Sequence, residues 1–355
     1  MNPHDQLCSN PACGARGKDG NILIHSRAEQ RYRCKVCGGT FSHTRQTALY
    51  RVKKPHSLFV LVVTLLAYGC RVQAIVAAYQ LDERTVWAWL RRAGQHCQQV
   101  HEGHLSNGQV ELEHIQADEL KVKTVAGTLW MGMVMMVSTR LWLGGAVASS
   151  RGKALLTQVL IYAQQAGRGG DVLVAVDGFN IYLEVIPLVF SRSWNWIQAR
   201  WQGWTQVGIV QTMKQKGGKR GRIDRQIAQG KKAFVWRMIR ASQGQGWINT
   251  AYIERLNATF RSRTACLARE GRALLRLEAH LVSWMWLVGS TYNWCRYHDA
   301  LAIELLVSPR KRFWMKRTPA IATRLTDHRW SMSELLWCKH PITSLLTARI
   351  LEATA

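Results

Sequence analysis

Apolar positions change their spacing along this chain, and each change marks a section. Residues 1–50 show little apolar periodicity and are rich in cysteine, glycine and polar side chains. Between 55 and 105, apolar residues recur at intervals of three and four, the period that lines one face of a helix. The most apolar run, 58–67, is too short to cross a bilayer and follows Arg51, Lys53 and Lys54, so a buried helix is expected there. A helix over 71–79, a turn at 80–82 and a second helix over 83–93 come next, with Asp82 as N-cap. Ile75, Ala78, Val86 and Leu90 would join these two helices. Arg84, Thr85, Trp87 and Arg91 would then lie on the outer face of the second, as in a helix-turn-helix reader of DNA. An ordinary helical hairpin between two domains has the same pattern.

From about residue 110 the pattern becomes that of an α/β protein. A strand ends over 114–117, strands follow at 128–137 and 141–149, and a helix covers 151–166. Residues 172–176 are a short, continuous apolar run of the kind found in a sheet covered on both faces. A fifth strand is expected at 207–211 and a helix at 250–263. Three strands, a helix, a fourth strand and a late helix are the order of a ribonuclease-H-like fold. The expected organisation is a zinc ribbon at 1–50, a helix-turn-helix domain at 51–105, a ribonuclease-H-like catalytic domain at 106–300 and a basic C-terminal tail at 301–355.

Charge narrows the partners. Across 355 residues, 48 Lys and Arg face 22 Asp and Glu, a formal net charge of +26. Such a surface repels itself unless it meets a polyanion, and nucleic acid gains affinity from each phosphate neutralised. The basic residues are spread along the chain rather than gathered on one amphipathic helix, which disfavours a membrane surface. Residues 1–10 are polar and include Cys8, unlike a secretory leader, so a cytoplasmic, nucleoid-associated location is expected. One stretch, 214–232, holds eight Lys or Arg, four Gly and the single acid Asp224. It reads as a mobile phosphate-binding loop, with Lys219, Arg220 and Arg222 as DNA contacts. Trp194, Trp196, Trp201 and Trp204 cluster before the fifth strand and read as core or a subunit contact.

Cys8 and Cys13, then Cys34 and Cys37, form two short-spaced pairs. Four soft thiolates on facing turns are what a structural zinc ion requires, and Gly38 and Gly39 suit a tight knuckle beside it. The segment is too small to bury a core, so one zinc is its expected source of stability. The other five cysteines sit in apolar or helical surroundings and read as small buried hydrophobes.

Seven acids occur from 118 to 254: Asp118, Glu119, Asp171, Asp177, Glu184, Asp224 and Glu254. Asp118 and Asp177 each close an expected strand, and Glu254 sits on the late helix. Glu119 would point away from Asp118 if that strand continued, and Asp171 lies at the wrong end of its own strand. Clustered carboxylates repel one another and need cations. Magnesium or manganese, two per active site, suits oxygen ligands and leaves positions for phosphate oxygens.

Gln116-Ala117-Asp118-Glu119-Leu120, Ala175-Val176-Asp177-Gly178-Phe179 and Asn249-Thr250-Ala251-Tyr252-Ile253-Glu254-Arg255-Leu256-Asn257 resemble the three catalytic blocks of DDE transposases. Asn293-Trp294-Cys295-Arg296-Tyr297-His298 and Arg317-Thr318-Pro319-Ala320 resemble later segments of the insertion-sequence-one family. The resemblance implies a transposase that cleaves DNA at element ends and joins it to target DNA. Asp118 would contact both metals, and Asp177 and Glu254 one each. Arg261, seven residues beyond Glu254 on the same helical face, would contact DNA. Terminal inverted repeats and target DNA would be the partners, and a homo-oligomer the active complex. Two other readings share the fold: an inactive zinc and helix-turn-helix regulator, and a ribonuclease-H-like nuclease without strand transfer.

Overall fold

The computed structural model describes residues 2–10, 12–191, 193–195, 200–214, 223–244, 246–268, 274–308 and 311–339. The N-terminal segment folds as three short antiparallel strands, β1 (Ile22–Ser26), β2 (Arg31–Cys34) and β3 (Thr40–Ser42). Its core is small: Ala15, Ile22, Tyr32 and Phe41 pack with Cys8, Cys13 and Cys34.

Three helices follow. In α1 (His56–Ala67) the buried residues Phe59, Val62, Val63 and Leu66 recur at three and four, as the apolar run 58–67 predicts. Helix α2 (Val72–Tyr79) ends where Gln80 turns left-handed at φ 50°. Asp82 then caps α3 (Glu83–Leu105), accepting from the Arg84 amide at 2.8 Å. The second helix runs on to Leu105 instead of ending near 93, because the buried stripe Val86, Leu90, Ala93, Cys97, Val100 never breaks its period. Gly94 is retained within it for packing: a Cβ there would lie 2.5 Å from Ser283 Cα on the crossing helix α8 (Glu278–Ser290).

The central sheet joins β4 (Glu113–Thr124), β5 (Gly127–Met136), β6 (Trp142–Ala148), β7 (Gly170–Asp177), β10 (Trp204–Lys214) and β11 (Ile223–Gln229), in the order β11-β10-β7-β4-β5-β6. The first three are an antiparallel meander, β7 and β10 add in parallel beside β4, and β11 closes the edge antiparallel. A small hairpin of β8 (Ser193–Asn195) and β9 (Arg200–Gln202) precedes β10. Val172, Val174 and Val176 bury one face under α4 (Lys153–Ala166) and α5 (Ile181–Val189). Leu173, Ala175 and Val210 bury the other under α6 (Lys232–Gln243). On that second face Leu120, Val122, Met131 and Met133 share one core with α1–α3, α7 (Ala251–Arg263) and α8. This is a mixed α/β architecture.

Two packing details tie α8 to the sheet. Gly289 lies so close to the Trp142 ring that a Cβ would sit 2.1 Å from it. Asn293, in the π-helical turn after α8, donates to Trp142 O at 2.7 Å and accepts from Trp142 N at 3.0 Å.

Several expectations need correcting. Ala78 is exposed rather than packed between helices, because the contact is carried by Val72 and Ile75 instead. The stretch 214–232 is not simply a loop: β11 occupies 223–229 as an edge strand, and Lys219, Arg220 and Arg222 lie outside the described residues. Nor is 301–355 simply a tail. Strands β12 (His298–Ser308) and β13 (Lys311–Arg317) form a hairpin, followed by α9 (Pro319–Ala322) and α10 (Met332–Trp337). Leu335 and Leu336 bring α10 into the core of α1–α3, since a capping box at Ser331 and Glu334 starts a helix with an apolar end. Trp204 is packed edge-on against Phe190 at 4.8 Å, while Trp196 lies outside the described residues. Among the described residues no helix is long and apolar enough to cross a membrane.

Candidate functional site

The parallel ladder between β4 and β7 pairs Glu113 with Val172 and stops at Gln116 with Ala175. Two positions further, at the same offset, stand Asp118 and Asp177. Their side chains share a sheet face with Gln116 and Ala175, by the two-residue alternation of strands. Asp118 is therefore not at the end of its strand, as the sequence suggests. β4 runs on to Thr124 because β5 continues to pair with it after β7 has left.

Glu119 lies on the opposite pleat, yet its carboxylate joins the group. One carboxylate oxygen from each of Asp118, Glu119 and Asp177 lies within 4.8 Å of the others. The convergence is possible because the gap beyond the ladder's end is open to both faces. The Glu119 side chain is fully buried and that of Asp177 is 38% exposed, so the cluster opens to solvent on the Asp177 side. Burial, then the charges of Glu119 and Asp177, push Asp118 up from the usual 3.8 to about 7. Burial also raises Glu119.

Arg151, in the bend before α4, is the cation that the sequence does not reveal. Its Nη2 donates to Glu119 Oε2 at 2.8 Å and to Asp177 Oδ2 at 2.7 Å. No local motif announces it; only the fold brings it across from the end of β6.

Glu254 stands outside the three-carboxylate group, exposed in the first turn of α7. Its helix is nevertheless fastened to the cluster. Gln116 accepts from the amides of Tyr252 at 3.1 Å and Ile253 at 3.0 Å, and donates to Asn249 O at 2.7 Å. A residue of β4 thus satisfies two free amides of the α7 N-terminus. Asn257, one turn after Glu254, donates to Asp118 Oδ2 at 2.7 Å. Thr212, opposite Asp177 in the β7–β10 ladder, contacts Thr250 Oγ1 at 3.2 Å, and Thr250 reaches Glu254 at 3.5 Å. Gln116 and Asn257 had a signal: each lies at strand or helix spacing from an acid on the same face.

The donor set suits a hard divalent cation. All ligands are carboxylate oxygens, one from each of Asp118, Glu119 and Asp177, gathered in a group that is partly buried. The cysteines suit zinc equally well. Cys8 and Cys37 bring their sulfurs to 3.7 Å, Cys13 and Cys34 to 3.9 Å, and all four lie within 4.8 Å. Ligands about 2.3 Å from a tetrahedral zinc would be about 3.8 Å apart. Gly38 adopts φ +70° in the knuckle, and the Gly39 amide helps lower Cys37 to about 6 while burial raises Cys8 to about 12.

On α3, Arg84 and Arg91 are exposed and Thr85 is half-buried. Trp87 shares the helical face of Arg84 and Arg91 but is half-buried there. Its ring stacks on His280 at 4.1 Å and its Nε1 donates to Glu83, because α8 covers that side of the helix. Arg261 is half-buried on α7. A second basic feature lies between the ribbon and α1: the Arg45 and Arg51 guanidiniums sit 4.6 and 5.2 Å from the Tyr50 ring centre, and Arg92 donates to Tyr50 O.

No protein-family model matches the chain, and no curated protein matches it. Among solved structures it is similar to a piggyBac transposase synaptic complex with hairpin DNA, determined by cryo-EM. The identity is 8% and the TM-score 0.36, over 84% of this chain and 74% of that one. A likeness at that score fixes neither fold nor function.

Proposed function

We propose that this chain is a DDE-type transposase with a ribonuclease-H-like catalytic core. In this reading Asp118, Asp177 and Glu254 hold two magnesium or manganese ions, and a zinc ion bound by Cys8, Cys13, Cys34 and Cys37 stabilises a DNA-binding ribbon. The observation that carries it is the meeting of Asp118 and Asp177 just past the end of the β4–β7 ladder, with α7 docked beside them through Gln116 and Asn257. The sheet order, a three-strand meander with two parallel strands added beside its first strand, is the order a ribonuclease-H-like fold requires. Resemblance of the three acidic blocks to DDE transposases supports the same reading.

Bound divalent ions would supply charge neutralisation at the phosphate and activation of the attacking oxygen. The chain's own residues do the positioning. Asp118 is oriented by Asn257 and by the Glu119 amide, which donates to its Oδ1 at 2.9 Å. Asp177 is oriented by the Phe179 amide, donating at 3.0 Å. Glu119, with no exposed side-chain surface, cannot reach DNA and serves to anchor Arg151. Arg84, Thr85 and Arg91 on α3, with Arg261 on α7 and Lys219, Arg220 and Arg222, would meet DNA. Water would attack at the element ends, and the freed 3′-hydroxyl would attack the target.

The test is cleavage and joining of labelled DNA carrying the repeats that flank the coding region. The parent should cut and join in magnesium. Asp177→Asn, Asp118→Asn and Glu254→Gln should bind this DNA but lose both steps by orders of magnitude. Asp171→Asn should retain them, because Asp171 pairs with Arg237 at 2.6 Å away from the cluster. Binding without cutting by the parent would favour a regulator, and cutting without joining a nuclease.

A further inference from the structure

Arg151 stands where positive charge is most needed. Its Nη2 bridges Glu119 Oε2 and Asp177 Oδ2, and its Nε donates to the same Glu119 oxygen at 3.1 Å. Whenever all three carboxylates are ionised, the one guanidinium leaves two negative charges uncompensated. The guanidinium is thus a partial counter-ion, and it occupies an Asp177 oxygen that a divalent cation needs.

Its backbone also lies outside the regular elements. Arg151 belongs to the bend between β6 and α4 rather than to either element, and its side chain keeps 27% exposure. Its guanidinium carbon lies 4.1 Å from the Phe179 ring centre and 5.5 Å from that of Trp130. An aromatic face holds a guanidinium without consuming its N–H donors, so the group has a resting place once Asp177 is taken. A planar fork with its donors released at the mouth of a carboxylate site matches the geometry of phosphate oxygens.

We propose that Arg151 is an exchangeable counter-ion. It holds Glu119 and Asp177 together in the metal-free protein, releases Asp177 to an incoming divalent cation while Glu119 keeps it anchored, and then offers its freed N–H donors to a DNA phosphate. This rests on the cluster being a metal site, as under Proposed function, and makes Arg151 a positioning residue whose partner changes along the reaction.

The experiment is reaction of the full-length, zinc-loaded protein with phenylglyoxal, an arginine-selective reagent, with modification at each arginine followed by peptide mass spectrometry. Manganese binding to the same samples is read by electron paramagnetic resonance. Manganese should speed modification of Arg151 several-fold and leave Arg237, paired with Asp171, unchanged. Adding duplex DNA to the manganese form should slow Arg151 again. Asp177→Asn should make Arg151 reactive without any metal. Arg151→Gln should bind manganese at least about tenfold more tightly, since one competing unit charge is gone, with Arg151→Lys in between. Bound manganese with Arg151 reactivity unchanged or lowered overturns the exchange. Failure of DNA to slow the reaction overturns the phosphate contact. Absence of manganese binding in the parent removes the metal site itself, and this proposal with it.

Discussion

Replacing Asp118 with asparagine should make the metal-free protein more stable, although it removes a residue at the centre of the candidate site. Asp118 titrates near 7 in the fold against a usual 3.8, chiefly because it is buried and then because Glu119 and Asp177 are beside it. For an acid raised in this way, the cost to folding is absent below 3.8. It grows as pH rises from there to about 7, and is complete above. The shift corresponds to roughly 4 kcal/mol if Asp118 alone bore the repulsion. Glu119 shares it, so a gain of about 1–4 kcal/mol is expected at pH 8. The amide fits the space. Its oxygen can still accept from the Glu119 backbone N–H, and Asn257, whose Oδ1 is buried without a partner, can turn over to accept from the new NH₂. Urea unfolding in magnesium-free buffer, at pH 4 and pH 8 with zinc retained, measures the difference. The variant should match the parent at pH 4 and exceed it at pH 8. Magnesium should then shift the difference toward the parent by stabilising only the parent, by about 2.7 kcal/mol at a hundred times its dissociation constant. A variant no more stable than the parent at pH 8 would refute the argument from buried like charge. Equal stabilisation of both by magnesium would refute the metal site.

Two further outcomes follow from other parts of the molecule. A Cys34→Ser, Cys37→Ser double variant should lose its one zinc by metal analysis, and residues 1–42 should become protease-sensitive while the α/β core, to which Ala48 and Leu49 already belong, stays folded. Full zinc retention would mean other ligands. Arg84→Gln or Arg91→Gln should reduce the preference for element ends over random duplex in a competition binding assay. Arg45→Gln with Arg51→Gln should instead weaken both alike, and the slope of log affinity against log salt should fall by roughly one for each phosphate no longer neutralised. An unchanged preference would remove α3 from recognition.

The sequence made strands and helices legible where one period held for long enough. The stripe in α3, the runs of β5 and β6 and the continuous apolar run of β7 all appear where the pattern puts them. The four-cysteine cluster was equally readable, because metal ligands must be close in sequence on each knuckle. What failed was anything decided between elements. Trp87 looks like an exposed aromatic until α8, some two hundred residues later, supplies His280 and Trp284 to cover it. α10 looks like part of a tail until Leu335 and Leu336 find the groove beside α3.

Glu119 shows why the site was only half readable. Strand alternation correctly puts its side chain on the other pleat from Asp118, and on a continuous sheet that would separate the two by the sheet's thickness. The sheet is not continuous there. β7 leaves β4 after Ala175, and beyond that point the two pleats look into one opening. Register between strands is set by long-range pairing, so no local period reveals where a ladder ends. The same opening explains why Asp177 is partly exposed while Glu119 is not: Arg151 and Tyr182 close the α4–α5 side, and α7 leaves the other accessible. The cluster is therefore open on the Asp177 side, between the half-exposed Arg151 and the face of α7 that carries Glu254, Asn257 and Arg261. The acid that the sequence pairs with the aspartates and the acid that the structure places with them therefore stand on opposite sides of one cluster, Glu254 exposed on α7 and Glu119 buried against Arg151.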